Sequence, residues 1–473
     1  MNRKSVLDKI KDQKFRKLCE NIVAEMKRLD VPGVSIGIWH KANEFSAGFG
    51  LTSVEHPLPV NSDTLFQVGS ISITFTATLL MTQLEKGLLD LDQPVRIYLP
   101  KLRLSDPDVT ARVTTRHLLT HTGGWIGDYF NDFGNGTNAQ VRMINSLARL
   151  PQITPLGEVW SYNNTGFNIA GRLVEVLTKK PYETAAQKIL LNPLGLEMTF
   201  FYPDDALLTQ RVASGHSKQN GTIKVARPWA VGRATNPVGG AISTVKDLLS
   251  YARFHMSEGQ ALDGSQIISK ASLEAMRIPQ IEAGGRGKMG LPWFIRQAGD
   301  LTILGHGGAT HGQQAGLHFI PAKNFALAIL TNSDAGGIIT ENALKWALEI
   351  YFDAALPSPI PLQKTENELQ EYCARYDLPL SAFVLSAANG YLIHTEIPRG
   401  GFPTPQTPPG EPAAPVRLAF YDIDRVIGLD EPAKGSLGEF LRNSDGSLAF
   451  FRIGGRVHPK MPALQNESPD PSV

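Results

Sequence analysis

The first residue in this sequence with clear chemical potential is Ser70, which stands where an apolar helix is expected to begin. The Gly69-Ser70 step opens a segment with helical periodicity that continues to Leu88. Free backbone N–H groups and the positive end of the dipole at a helix N-terminus favour a developing oxyanion or alkoxide. Ser70 is therefore a candidate nucleophile, although a serine at this place is also a common helix N-cap.

Two later segments contain groups that could move protons or orient a substrate. Residues 160–164 contain Tyr162 and Asn164 as a Tyr-x-Asn pair in a turn-like context. Residues 304–312 contain His306 in a loop of small residues that precedes a strand. Tyrosine and histidine are common acid–base groups, and glycine lets a substrate approach the backbone closely. These three segments together predict nucleophilic or acid–base catalysis.

In order and spacing, the three segments resemble the motifs of the serine β-lactamase and penicillin-binding-protein superfamily, in particular class C β-lactamase-like esterases and D-aminopeptidases. The resemblance covers about residues 10 to 355, and Arg116–Gly124, Asn192–Leu196 and Gly239–Thr244 support it. It implies a serine hydrolase or acyltransferase that forms an acyl-enzyme from a small-molecule ester, an amide or a peptide-like substrate. It implies no cofactor.

The resemblance also implies catalytic roles for individual positions of this chain. Ser70 would be the acylated nucleophile, and Tyr162 would be the proton shuttle. His306 would stand in the element that reads Lys-Thr-Gly in many members. The oxyanion hole would consist of the backbone N–H groups of Ser70 and Ala309.

Further positions are expected to contact the substrate. Asn164 would orient it through the side-chain amide, and Gly307 and Gly308 would complete the element that contains the histidine. Trp125 is expected to line the pocket. His121, in contrast, is expected to be a satisfied histidine in a turn, with a structural role.

The chain departs from the family motif at one position. The Ser-x-x-Lys motif reads Ser70-Ile71-Ser72-Ile73 here, and residues three apart share a helix face, so Ile73 places hydrocarbon where the family has an ammonium group. A free phenol is ionised in only about one molecule in a thousand at pH 7, which costs about 4 kcal/mol without a neighbouring cation. We therefore expect acylation several orders of magnitude slower than in a lysine-bearing relative.

A second Ser-x-x-Lys pattern occurs at Ser243–Lys246, after Gly239-Gly240 and before Asp247. In this superfamily, such a context starts a structural helix. We therefore expect Ser243 to have no role as a nucleophile.

The missing lysine leaves three explanations open. The chain is a natural member that has lost covalent chemistry and binds ligands, or it uses Tyr162 or His306 as an acid–base group without an acyl-enzyme, or it is an inactivated variant of an ordinary hydrolase. The joint presence of Tyr162, Asn164 and His306 favours retained activity or an engineered change over decay.

Both ends of the first predicted domain show the pattern of a single antiparallel sheet. Residues 5–28 have helical periodicity, and 34–50 contain a candidate hairpin. The segments 315–320 and 325–330 are predicted strands joined by a turn, and a helix is predicted at 338–354. These patterns predict an α+β fold: an antiparallel sheet flanked by helices, with a helical subdomain inserted between its two halves.

A proline-rich linker at 357–363 divides the sequence into two predicted domains. Residues 1–356 are expected to form the β-lactamase/transpeptidase-like catalytic domain. Residues 364–473 contain short strands with turn signals and are expected to form a small all-β, barrel-like domain. The segment Phe451–Arg456 resembles the lipocalin-like C-terminal domain of some members of the superfamily. Its role could be to cover the cleft, mediate assembly or stabilise the fold.

Composition excludes several classes of function. The 473 residues contain 46 Lys and Arg and 45 Asp and Glu, so the net charge of +1 argues against nucleic-acid binding. No run of 18 apolar residues or signal peptide occurs, so we expect a cytoplasmic protein without a membrane partner. Two cysteines and the absence of clustered Cys/His motifs argue against a metal site. An oligomer is possible.

Overall fold

The computed structural model describes residues 3–209, 211–229 and 231–462. Residue contacts divide the chain into two compact units. The first contains the residues up to 282 together with 287–357, and the second contains 283–286 and the residues from 358 onward. The end of the second predicted domain, residues 463–473, lies outside the described residues.

The first unit contains helices and strands along its whole length. Its helices are α1 (Arg3–Leu7), α2 (Gln13–Arg28), α3 (Ser72–Glu85), α4 (Pro107–Arg112), α5 (Thr115–Leu119), α6 (Ala139–Ser146), α7 (Asn164–Thr178), α8 (Tyr182–Ala186), α9 (Asn192–Leu194), α10 (Pro203–Leu207), α11 (Asn236–Gly239), α12 (Val245–Met256), α13 (Lys270–Ala275) and α14 (Gly336–Phe352). Its strands are β1 (Gly33–His40), β2 (Asn43–Gly50), β3 (Phe66–Gln67), β4 (His216–Gln219), β5 (Thr222–Val225), β6 (Ile242–Ser243), β7 (Ile281–Glu282), β8 (Lys288–Met289), β9 (Phe294–Ala298), β10 (Leu301–Thr310), β11 (Gln313–Ile320) and β12 (Phe325–Thr331).

The main sheet is antiparallel and combines both ends of the unit. Its strand order is β2-β1-β12-β11-β10-β9-β8-β7. β1 pairs with β12, with Val34 opposite Thr331 and Ile38 opposite Leu327. The predicted α+β fold with a sheet built from both ends is therefore confirmed, and the helical insert lies between β2 and β7.

Helices cover both faces of this sheet. On one face, Val34, Ile36 and Ile38 of β1 pack in a single apolar core with residues of α2 and α14. On the other face α12 lies so close that a Cβ added to Gly37 would be 2.8 Å from Leu249 Cδ1. Alternation of side chains along β1 accounts for this division, because successive residues point to opposite faces.

The prediction of one helix at 5–28 is wrong in one respect, because two helices, α1 and α2, occupy this segment and are separated by non-helical residues. Asp12 is the N-cap of α2, and its side chain accepts a hydrogen bond of 2.7 Å from Phe15 N. A capping aspartate satisfies one of the free N–H groups of a new helix, so it starts a second helix where the apolar periodicity alone continues.

Helix α3 is enclosed by the helical subdomain. Every residue from Ser72 to Gln83 is buried, so its polar side chains need partners inside the protein. Thr76 Oγ1, for example, lies 2.7 Å from Tyr182 Oη and donates to Pro237 O over 2.6 Å. These bonds join α3 to α8 and α11, so the start of α3 is held in a fixed place.

The second Ser-x-x-Lys segment has a structural role. Ser243 lies in β6 and shares a hydrogen bond of 2.9 Å with Thr199. Thr244 caps α12, and Lys246 forms an ion pair of 2.7 Å with Asp63. The segment thus starts a helix, as its context predicts.

The second unit is an eight-stranded antiparallel sheet in sequence order. It contains α15 (Glu366–Leu369), β13 (Ala374–Leu378), β14 (Ser381–Ala388), β15 (Tyr391–Ile397), β16 (Val416–Asp422), β17 (Arg425–Gly428), β18 (Leu437–Arg442), β19 (Leu448–Ile453) and β20 (Arg456–Pro459). Met461 N donates to Arg375 O over 2.8 Å, so the chain after β20 returns to β13 and nearly closes a barrel. Tyr376, Phe383, Phe440 and Phe451 pack together in its core.

Asp247 gives the first unit a pH-dependent stability. Its Oδ2 accepts hydrogen bonds from Met198 N (2.9 Å) and Thr199 Oγ1 (2.8 Å). Burial nevertheless raises the pKa of Asp247 to about 6, because the carboxylate loses hydration. The unfolded chain therefore ionises this group at lower pH than the folded chain does.

We predict that replacing Asp247 by Asn removes a fall in stability between pH 4 and pH 6. The pKa of Asp247 is higher in the folded protein than in the unfolded chain. Its contribution to the free energy of unfolding is therefore complete below about pH 3.9 and is lost as the pH rises through about 6. Urea unfolding at several pH values measures the difference between wild type and Asp247→Asn. Glu44→Gln is the control, because the side chain of Glu44 is exposed. A difference in stability between wild type and Asp247→Asn that stays constant across this pH range contradicts the prediction.

Candidate active site

Ser70 lies in a 3₁₀ turn, Gly69–Ile71, that leads directly into α3. The N-cap of this turn is Val68, so Ser70 is not the N-cap. Ser72 fixes the turn instead, because its hydroxyl donates to Gly69 O (2.7 Å) and accepts from Ala241 N (2.9 Å). Ser70 itself is partly exposed. Its hydroxyl therefore stands at a helix start without serving as the cap.

Residues 304–310 belong to a strand, whereas the sequence predicts a loop there. They continue β10, whose pairing with β9 ends at Gly305 while its pairing with β11 continues to Thr310. Glycine has a low strand preference, but the neighbouring strand β11 satisfies the backbone of this segment. The prediction of a loop was wrong for this reason.

The glycines of β10 allow it to lie directly against the Ser70 turn. A Cβ added to Gly308 would contact Val68 O and would be 2.9 Å from Ser70 N. A Cβ added to Gly69, whose φ is +50°, would be 2.6 Å from Ala309 N. The backbone around Ser70 N and Ala309 N, the two groups expected to form an oxyanion hole, therefore meets at one junction.

His306 lies two residues before Gly308 and is buried. Its Nδ1 is 2.6 Å from Gly307 O. A carbonyl oxygen only accepts hydrogen bonds, so Nδ1 donates, and in the neutral ring the lone pair is on Nε2. The ring centroid is 6.0 Å from that of Tyr162 and 5.3 Å from that of Phe294. Tyr162 and His306 are thus neighbours, although the sequence separates them widely.

His121 holds Tyr162 in place, which the sequence does not predict. The two rings stack at a centroid distance of 4.3 Å and an angle of 26°. His121 Nδ1 accepts from Asn163 N (2.9 Å), and His121 O accepts from Ser161 N (3.0 Å). His121 also has a φ of +57°, which is uncommon for a residue with a side chain. It therefore binds the backbone on both sides of Tyr162 as well as its ring.

Asn164 begins α7, directly after the N-cap Asn163. Its Nδ2 donates to Asp128 Oδ1 over 2.6 Å. Trp125 is buried, and its indole N–H donates to Thr165 Oγ1 over 2.8 Å. These bonds attach residues 125–128 to the start of α7. Asp128 was not singled out from the sequence, since no motif marks it.

Ile73 is fully buried on the helix that follows Ser70. Thus hydrocarbon occupies the position of the motif lysine.

Within the described part of the chain, no group of three or more His, Cys, Asp or Glu side chains is arranged to hold a metal ion. Across the same residues, no helix combines the length and apolar character needed to cross a bilayer.

An antiparallel sheet between helices, with a serine turn against one strand and a tyrosine turn beside it, defines the β-lactamase/transpeptidase-like class of folds. The sequence profile of the beta-lactamase family matches residues 18–348. Penicillin-binding protein 4 of Amycolatopsis lactamdurans is 34% identical over 319 residues, which cover 66% of this chain and 82% of that protein. The chain belongs to the beta-lactamase family of serine hydrolases.

Solved structures show the same fold over both units. The structure of SurE with D-Leu has a TM-score of 0.71 at 25% identity and covers 95% of this chain and 99% of SurE. The octameric penicillin-binding protein homologue from Pyrococcus abyssi has a TM-score of 0.61 at 22% identity, with coverage of 91% of this chain and 96% of that protein.

We predict that Gly308→Ala destabilises the protein by about 1–3 kcal/mol, because the added methyl group must separate β10 from the Ser70 turn. Gly307→Ala is the matched control, since a Cβ there would be 3.6 Å from its nearest neighbour, Ala315 O. Urea unfolding measures both variants. Equal stability of the two variants would show that the close approach at Gly308 is not a real constraint.

We predict that His121→Asn lowers kcat for an activated ester by about 10- to 100-fold and changes KM much less, because the role expected for Tyr162 is proton transfer rather than substrate binding and the substitution would displace its ring. Asparagine tolerates a positive φ, so the turn is expected to survive. Steady-state kinetics and thermal unfolding test this. A loss of stability with unchanged kcat would assign His121 a purely structural role.

Proposed function

We propose that this chain is a serine hydrolase, or an acyltransferase, that forms an acyl-enzyme on Ser70 from an ester or amide. The observation that carries the proposal is the junction of Gly308 and Ala309 with the Ser70 turn. It combines a partly exposed hydroxyl with two backbone N–H groups. The Tyr162–His306 pair supports the proposal, because His306 is on the same strand as the junction.

In the proposed reaction, the Ser70 oxygen attacks the substrate carbonyl carbon. The N–H groups of Ser70 and Ala309 stabilise the oxyanion that forms. The serine proton passes to the Tyr162–His306 pair, which returns it to the departing alcohol or amine. Water or an acceptor nucleophile then releases the acyl group by the reverse sequence of proton transfers.

His306 offers a base that does not depend on the motif lysine. Its Nδ1 donates to Gly307 O, so the neutral ring presents a lone pair at Nε2. The phenol is a poorer base by comparison, because ionising a free phenol at pH 7 costs about 4 kcal/mol. We therefore assign proton abstraction to His306, with Tyr162 as the relay.

Ile73 is proposed to limit the rate of acylation. An ammonium group at this position would stabilise the phenolate and the ionised serine, and a buried hydrocarbon cannot do so. The oxyanion hole and the histidine base still support catalysis, at a rate below that of lysine-bearing relatives.

Relatives support a peptide-like substrate. A penicillin-binding protein is similar to this chain, and the SurE structure contains D-Leu. Esters and amides of D-amino acids are therefore the first substrates to test. The octameric homologue supports measuring the oligomeric state of this chain as well.

The buried Ile73 also favours a second candidate, in which Tyr162 and His306 perform acid–base chemistry without an acyl-enzyme. Such activity survives Ser70→Ala and falls with Tyr162→Phe, and the opposite ranking excludes it. A catalytically inactive binding protein is the third reading of the same site. Turnover that is lost in Ser70→Ala rules it out.

We predict a single covalent adduct on Ser70 after exposure of the protein to a fluorophosphonate, observed by intact-protein mass spectrometry. We expect His306→Ala to slow labelling, and Ile73→Lys to accelerate it, by about 10-fold or more each. Ile73→Met is the uncharged control and is expected to label at the wild-type rate. An adduct that persists in Ser70→Ala, or no adduct in wild type and in Ile73→Lys, overturns the proposal.

A further inference from the structure

A loop beside the Tyr162 turn contains three aromatic residues among polar residues and glycines. This aromatic loop, residues 127–138, reads Gly-Asp-Tyr-Phe-Asn-Asp-Phe-Gly-Asn-Gly-Thr-Asn. Its aromatic residues, Tyr129, Phe130 and Phe133, are all partly exposed. Aromatic side chains bury a large area when they pack, so three accessible ones in a short polar loop favour a role in contacting a ligand.

The aromatic loop starts against the catalytic groups of the proposed site. A Cβ added to Gly127 would be 2.7 Å from Tyr162 O. The next residue, Asp128, accepts a hydrogen bond of 2.6 Å at Oδ1 from Asn164 Nδ2. Tyr129 therefore follows directly after a residue that contacts Asn164, the side chain expected to orient the substrate.

Hydrogen bonds hold the aromatic loop in place. Asn131 Nδ2 donates to Tyr129 Oη over 2.6 Å, which orients the phenol. Arg233 Nη1 donates to Asn135 O over 2.7 Å. Arg233 is itself fixed, because its Nε and Nη2 each donate to the carboxylate of the buried Glu183 over 3.0 Å. A loop that is ordered before binding loses little conformational entropy when a ligand arrives.

Two of the aromatic rings are neighbours within this loop. The centroids of Tyr129 and Phe133 are 6.1 Å apart, and the ring planes are inclined by 57°. Aromatic groups favour tilted and edge-to-face contacts at such distances, so a further ring can pack against this pair in the same way. The pair thus offers a large apolar group more contact area than a methyl group can cover.

We propose that Tyr129 and Phe133 bind an aromatic or other large apolar side chain of an aminoacyl ester or amide substrate. This inference rests on the proposed function, in which Asn164 orients the substrate for attack by Ser70. The pair then determines specificity, because affinity rises with the apolar area that the substrate side chain removes from water.

The experiment measures binding to full-length Ser70→Ala by isothermal titration calorimetry. The ligands are N-acetylphenylalaninamide and N-acetylalaninamide, each in the D and the L form. We expect at least one phenylalanine ligand to bind about 10-fold or more tightly than the alanine ligand of the same configuration. Tyr129→Ser and Phe133→Ser, made in the Ser70→Ala protein, are each expected to lower this ratio by about 3-fold or more.

Thr137→Ala is the matched control, because Thr137 is exposed in the same loop, and it is expected to keep the full ratio. Leucine variants of Tyr129 and Phe133 remove the ring but keep an apolar side chain, and they replace any serine variant that does not fold. Equal affinity for the two kinds of ligand overturns the inference, as does a ratio that is unchanged when either ring is removed.

Binding to Ser70→Ala needs no acyl chemistry, so this test is separate from that of the proposed function. A preference for the phenylalanine ligand without fluorophosphonate labelling of Ser70 refutes only the proposed function. Labelling of Ser70 without this preference refutes only the role of the aromatic pair.

Discussion

The close contact between β10 and the turn at Ser70 determines the geometry of the site. A side chain at Gly308 would meet Val68 O and Ser70 N, and one at Gly69 would meet the backbone of Ala309. Protein interiors are tightly packed, so a Cβ atom at either glycine would keep the two backbones apart. Because both Cβ atoms are absent, the backbone of β10 lies directly against that of the Ser70 turn. Neighbouring elements hold both sides of this contact in place: β11 pairs with β10, and the buried helix α3 fixes the turn.

Two histidine rings lie beside Tyr162, and the proposed chemistry depends on how they are held. His121 accepts a backbone hydrogen bond at Nδ1, whereas His306 donates one at Nδ1. In their neutral forms, the first ring therefore carries its proton on Nε2 and the second carries a lone pair there. In the proposed mechanism, this difference fits a positioning role for His121 and a proton-accepting role for His306. A histidine base would also not depend on the lysine that Ile73 replaces.

Much of the first unit was predictable, because strands and helices at the ends of a domain have strong local patterns. The apolar runs of β1 and β12 and the helix α14 belong to this group. Glycines misled the prediction at residues 304–310, where pairing with β11 outweighs their weak strand preference. The stack of His121 on Tyr162 and the bond between Asp128 and Asn164 were not predictable. Both depend on loop conformations that bring distant segments together, and no local periodicity encodes such contacts.

A crystal structure of the protein after reaction with a fluorophosphonate would show whether Ser70 and Ala309 form the oxyanion hole. We predict phosphorus bonded to Ser70 Oγ and a phosphoryl oxygen within hydrogen-bond distance of both Ser70 N and Ala309 N, with Tyr162 and His306 on the leaving-group side. A phosphoryl oxygen turned away from Ala309 N, or an adduct on another residue, would contradict it.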